Sequence, residues 1–123
     1  YSICVDSCHI FAAGYDLRSP ETWQATRQQL QDIIGLQNIR VWHFNDSLGD
    51  FGSCKDRHAH IGKGNIGMDG FSLLINDPVC QSVPLILETP KDPAHSWDQE
   101  NVETLRNLVK DRLDGSKATK SQP

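Results

Sequence analysis

The feature that most constrains this chain is a pattern repeated three times: a short apolar run meets a charged or imidazole residue at its end, then a loop, then an amphipathic stretch. The runs are Ser2 to Asp6 (SICVD), Ile39 to Phe44 (IRVWHF) and Pro84 to Thr89 (PLILET). Apolar runs this short, bounded by polar and turn-forming residues, read as buried strands. After the first run, Ser19 as N-cap and Pro20 at the first helical position open a helix that Gly35 closes, with Trp23, Leu30, Ile33 and Ile34 on one face. A shorter helix carries Met68, Phe71, Leu74 and Ile75 on one face and stops at Asp77-Pro78, where proline cannot continue it. A third places Val102, Leu105, Leu108 and Val109 at helical spacing. Strands alternating with helices imply a parallel α/β sheet with helical crossovers, either doubly wound or barrel. A closed (β/α)8 barrel needs roughly 250 residues. A chain of 123 residues supplies fewer than half of its strands.

Residues 1–113 read as one part of a domain, and the tail from Asp114 to Pro123, which has no apolar period, reads as flexible. The chain begins without Met, inside a strand, which suggests that its start has been cut away. Its composition, 37% apolar and 23% charged, is that of a globular protein. No apolar run approaches the roughly 20 residues that span a bilayer, and no basic segment marks a signal peptide. Four cysteines are too few and too irregular for a disulfide scaffold, so they read as reduced thiols of an intracellular protein. Cys4 and Cys8 lack a second pair at zinc-finger spacing and read as small buried or half-buried residues. The net charge of -4 argues against general adhesion to nucleic acid. It leaves DNA open as a substrate, because bound dications make a local site positive.

The unusual residues fall at strand ends or in the loops just beyond. Asp6 ends the first strand, and His9 follows. His43 lies near the end of the second, Asp56 and His58 lie in the long loop after it, and Glu88 ends the third. Parallel strands present these ends on one edge, where α/β enzymes build their sites. Any one of the six is more often a helix cap or a satisfied polar residue than a ligand. Six on one edge, two of them within apolar strands where an unpaired charge is costly, favour a metal site. Imidazoles mixed with carboxylates suit zinc, and manganese with less preference. His60 and His95 read as ordinary loop residues. The Gly62 to Gly67 segment (GKGNIG) resembles a phosphate-cradling loop but follows a loop, not a strand, so it reads as a turn before the second helix. Arg18 and Arg57 are candidate phosphate contacts, with structural ion pairs as the alternative.

Cys4-Val5-Asp6-Ser7-Cys8-His9 running into Phe11-Ala12-Ala13-Gly14-Tyr15-Asp16-Leu17-Arg18 resembles one signature of the endonuclease IV family of apurinic/apyrimidinic endonucleases. His43-Phe44-Asn45-Asp46-Ser47, Gly52-Ser53, Asp56-Arg57-His58 and Ile61-Gly62-Lys63-Gly64 resemble another, and Leu85-Ile86-Leu87-Glu88-Thr89-Pro90 resembles a third. Leu48, Ser7 and Ala59 depart from the residues common in the family, which are Lys, Thr and Glu. The resemblance covers all but the tail. It implies a (β/α)8 TIM barrel, of which this chain forms the last three βα units, and a cluster of three zinc ions in the intact protein. His9, Asp56 and His58 would hold one zinc, while Asp6, His43 and Glu88 would hold a second together with a bridging Glu from a missing N-terminal half. The implied activity is base excision repair: hydrolysis of the phosphodiester 5′ to an abasic site in duplex DNA, with zinc neutralising the phosphate and no side chain required as general base. The implied location is intracellular, in cytoplasm, nucleus or mitochondrion according to organism, without membrane association. The alternatives are a xylose-isomerase-like sugar isomerase or epimerase, and a remnant that only binds metal. By itself the chain is expected to be inactive.

Overall fold

A computed structural model describes residues 2–109. The flexible segment expected at 114–123, and the domain end expected at 113, lie outside the described residues. In chain order the elements are β1 (Ile3–Asp6), α1 (Ser7–Ala12), α2 (Pro20–Ile33), a 3-10 turn (Leu36–Asn38), β2 (Ile39–His43), β3 (Asp46–Ser47), β4 (His58–Ala59), α3 (Gly67–Ile75), α4 (Pro78–Gln81), β5 (Leu85–Ile86) and α5 (Trp97–Leu108). β1, β2 and β5 form one parallel sheet with β2 in the centre. Its register pairs Asp6 with His43 and His43 with Ile86, which puts the C-terminal strand ends at one level. The strand-helix order and parallel pairing are what the alternation predicts, and they are compatible with the TIM-barrel segment that the family resemblance implies.

The sequence signals for α2 correspond to physical contacts. The Ser19 hydroxyl accepts the Thr22 backbone N–H at 3.2 Å, and the Thr22 hydroxyl accepts the Ser19 N–H at 3.0 Å. This reciprocal cap satisfies two donors that the helix itself leaves unpaired. Gly35, at φ 79°, takes the left-handed conformation that ends the helix. The core lies between the sheet and the helices, centred on fully buried Trp42, Phe44 and Phe71, with the Trp42 ring set edge-on against both Trp23 and Phe44.

Several expectations need correction. The segment after the first strand is not a loop: α1 starts immediately after Asp6. The third strand pairs only over Leu85–Ile86, because its ladder partner β2 ends at His43 and, among the described residues, β5 has a neighbour on one side alone. The three strands are not uniformly buried: Cys4 is exposed, and Ile86 is 45% exposed. Ile33 and Met68 stand off the buried faces of their helices at 66% and 46% exposure, and Val109 caps α5 from just beyond its end. The long loop after β2 also contains an antiparallel ribbon, β3 with β4, which pairs Asp46 with Ala59 and Ser47 with His58.

Candidate metal centre

The strand end of β1 starts the site. One carboxylate oxygen of Asp6, Oδ1, accepts the backbone N–H groups of Cys8 at 2.9 Å and His9 at 3.3 Å, which nucleates α1 and places His9 in its first turn. The other, Oδ2, faces His58 Nε2 at 3.2 Å and accepts Asn45 Nδ2 at 3.3 Å. The helix-cap role and the site role of Asp6 therefore fall on different oxygens.

His58 arrives from the β3–β4 ribbon. Its Nδ1 lies 2.8 Å from the Glu88 carbonyl oxygen. A carbonyl only accepts, so Nδ1 carries a proton, and Nε2 is the ring nitrogen that a neutral His58 would offer to a metal. That Nε2 stands 3.2 Å from Asp6 Oδ2 and 3.6 Å from Asp56 Oδ1. Two ligands held about 2.1 Å from one tetrahedral zinc lie about 3.4 Å apart, so these spacings suit a shared cation. Asp56 reaches His9 Nδ1 with its second oxygen at 3.0 Å, and Glu88 meets His43 Nδ1 at 2.5 Å. Burial pushes the Asp56 carboxyl up, but the hydrogen bonds from His9 and the Cys8 thiol, with the nearby imidazoles, hold it below its ordinary value.

All six predicted residues thus form one connected network at the C-terminal edge of the sheet. The tightest groupings differ from the two sets that the family resemblance implies. Asp6, His58 and Glu88 converge within 4.8 Å of one another, as do Cys8, Asp56 and His58. His9 joins through its contact with Asp56, and His43 through its contact with Glu88. Cys8 is buried as expected, and its sulfur lies within 4.8 Å of ligand atoms of Asp56 and His58. Its thiol donates to the Arg57 carbonyl oxygen at 3.4 Å, and burial pushes it up to about 12, which keeps it neutral. Cys4 is exposed, so the expectation of burial holds for one member of that pair.

Other candidates resolve differently. Arg18 is paired with Asp16, through Nε at 2.9 Å, and its guanidinium lies 5.3 Å from the ring centres of Phe11 and Phe51. Arg57 is exposed, between the two site residues Asp56 and His58. His60 stacks on Trp97 at 3.9 Å and meets Asn101, and His95 pairs with Glu100; both serve local packing. The glycine-rich segment wraps a carboxylate of its own chain. Fully buried Asp46 accepts the backbone N–H groups of Ser47, Gly62, Gly64, Ile66 and Gly67 at 2.8 to 3.2 Å. A Cβ on Gly64 would stand 2.5 Å from the Ser47 carbonyl oxygen, so glycine is required there. Sequence reasoning passed over Asn45 and Asp46 as positioning groups. The available signal was a polar Asn-Asp-Ser run directly after an apolar strand.

The sequence model of the family described as "Xylose isomerase-like TIM barrel" matches residues 1–108. The chain belongs to this family, among the endonuclease IV proteins. A "Probable endonuclease 4" of Chloroflexus aggregans is 51% identical over 108 residues, covering 88% of this chain and 38% of that protein. One from Persephonella marina is 46% identical over 108 residues, covering 88% of this chain and 37% of that protein. The crystal structure of endonuclease IV from Thermus thermophilus superposes with a TM-score of 0.75 at 36% identity, over 87% of this chain and 38% of that one. The chain therefore spans somewhat over a third of the length of the endonuclease IV proteins it matches. Among the described residues no helix is long and apolar enough to cross a membrane.

Proposed function

We propose that this chain is part of a zinc-dependent apurinic/apyrimidinic endonuclease of base excision repair, which hydrolyses the phosphodiester 5′ to an abasic site in duplex DNA. The observation that carries this is the placing of His58 Nε2 between Asp6 Oδ2 at 3.2 Å and Asp56 Oδ1 at 3.6 Å, with Nδ1 turned to the Glu88 carbonyl. Asp6, His9, His43, Asp56, His58 and Glu88 would hold the metal. Three imidazoles among three carboxylates suit zinc better than manganese, which prefers an all-oxygen shell. When bound, zinc supplies Lewis acidity toward a phosphoryl oxygen and makes water available as a nucleophile near neutral pH.

The side chains then have defined tasks. Glu88 and His58 fix each other, one through its backbone carbonyl and the other through Nδ1. His9 and Asp56 lie at the exposed rim, where a phosphate can approach. Arg57, exposed beside them, is the better placed of the two arginines to meet that phosphate, since Arg18 is held by Asp16. No residue needs to act as general base.

The matched family also takes its description from xylose isomerase, which keeps a sugar isomerase or epimerase as the second reading. Zinc-loaded full-length protein should cleave an end-labelled duplex with one abasic site, leaving a 3′-hydroxyl and a 5′-deoxyribose phosphate, and a chelator should abolish this. Interconversion of an aldose and a ketose without DNA cleavage would establish the second reading. Metal binding without either activity would leave a metal-binding remnant.

A further inference from the structure

We propose that Asn45 is a positioning residue that sets the distance between the two outer strand ends of the metal centre. The ladder fixes strand spacing only as far as it runs. Its last paired level is Asp6, His43 and Ile86, followed by the Phe44 N–H to the Ile86 carbonyl at 2.9 Å. Glu88 lies beyond that level, and Asp6 belongs to the strand on the opposite side of β2. Neighbouring strands stand about 4.8 Å apart, so β1 and β5 are separated by roughly 10 Å of sheet. Backbone pairing alone does not draw both carboxylates toward one point.

Asn45, two residues after His43 on the central chain, spans that gap. Its Nδ2 donates to Asp6 Oδ2 at 3.3 Å on one side, and its Oδ1 accepts the Glu88 backbone N–H at 2.8 Å on the other. A side-chain amide offers a donor and an acceptor on one rigid planar group. The backbone that carries this side chain is itself anchored. The buried Ser7 hydroxyl donates to the Asn45 backbone carbonyl at 2.7 Å and accepts the Asn45 backbone N–H at 3.0 Å. Asn45 and Ser7 are both fully buried, so water is no substitute partner for either. Holding Asp6 and Glu88 together also fixes His58, which contacts both.

The inference rests on the metal-centre reading above. It is tested in the full-length protein with Asn45→Ala, which removes both contacts, and Asn45→Asp, which keeps the acceptor for Glu88 but loses the donor to Asp6. Zinc retained against a competing chelator, kcat and KM on abasic duplex, and thermal melting are measured for each, with His43→Ala as the control for the metal reading. Groups that orient metal ligands typically matter by 10- to 100-fold. The expected result is a loss of about that size in zinc affinity and kcat for both variants, with KM within about threefold of the parent. A residue needed only for folding would lower the yield of folded protein without this split. If Asn45→Ala is not recovered folded, Asn45→Asp decides, because it preserves shape and volume. If His43→Ala loses zinc while the folded Asn45 variant keeps its affinity and kcat within twofold of the parent, the positioning role is overturned and the metal reading stands. If His43→Ala keeps its full zinc, both fall.

Discussion

A single carboxylate at a strand end serves two neighbours in this chain. Asp6 gives one oxygen to the first turn of α1 and turns the other toward His58. His58 is the most connected of the six, since its Nε2 faces two carboxylates and its Nδ1 holds a third residue by the backbone. Replacing His58 by Ala in the full-length protein is therefore expected to lower bound zinc by one ion per molecule while the folded fraction is retained, as read by elemental analysis and circular dichroism. An unchanged zinc content would remove His58 from the ligand set. The six acids and imidazoles were legible because each interrupts or follows an apolar run at a strand end. Asn45 and Asp46 were not recognised as positioning groups, because their importance comes from complete burial and from partners 16 to 43 positions away. The burial of Cys8 was legible, and its closeness to the site was not, for a related reason. Pairing cysteines by spacing finds other cysteines, whereas the donors near Cys8 come from residues 56 and 58 on a different element.

At the scale of elements, the short ribbon β3–β4 does the positioning that the parallel sheet does not. It carries His58, and it is locked to the segment before α3 by the Asp46 carboxylate. Removing that carboxylate leaves several backbone donors without a partner in the interior, each costing about 1 to 3 kcal/mol. Asp46→Ala is expected to lower unfolding stability by about 3 kcal/mol or more in urea titration. A change below about 1 kcal/mol would mean that the segment finds other partners. The start of α2 was readable from Ser19-Pro20 because capping is local. The α1 helix was not, because the residue that caps it, Asp6, also belongs to the site and was counted only as a strand end. The short extent of β5 was likewise hidden: pairing depends on where β2 ends, and the apolar run Leu85-Ile86-Leu87 carries no information about that.

At the scale of the molecule, three parallel strands form a sheet whose outer members, β1 and β5, each pair on one side among the described residues. An apolar groove of about 300 Å³ follows β1, lined among others by Val5, Ile10, Leu30, Ile33 and Ile34. Unpaired strand edges and exposed apolar surface favour association. This chain alone, expressed as 123 residues, is expected to be poorly soluble or oligomeric and to show little or no cleavage of abasic duplex with added zinc. Efficient cleavage by a monomer, abolished by His43→Ala, would show that the residues described here suffice. The most direct test of the metal centre is anomalous diffraction at the zinc absorption edge on crystals of the full-length protein grown with zinc. The expected result is a peak about 2.0 to 2.2 Å from His58 Nε2 with carboxylate oxygens of Asp6 or Asp56 completing its shell. Zinc bound elsewhere, with the contacts of His58 to Asp6 and Asp56 undisturbed, would contradict it.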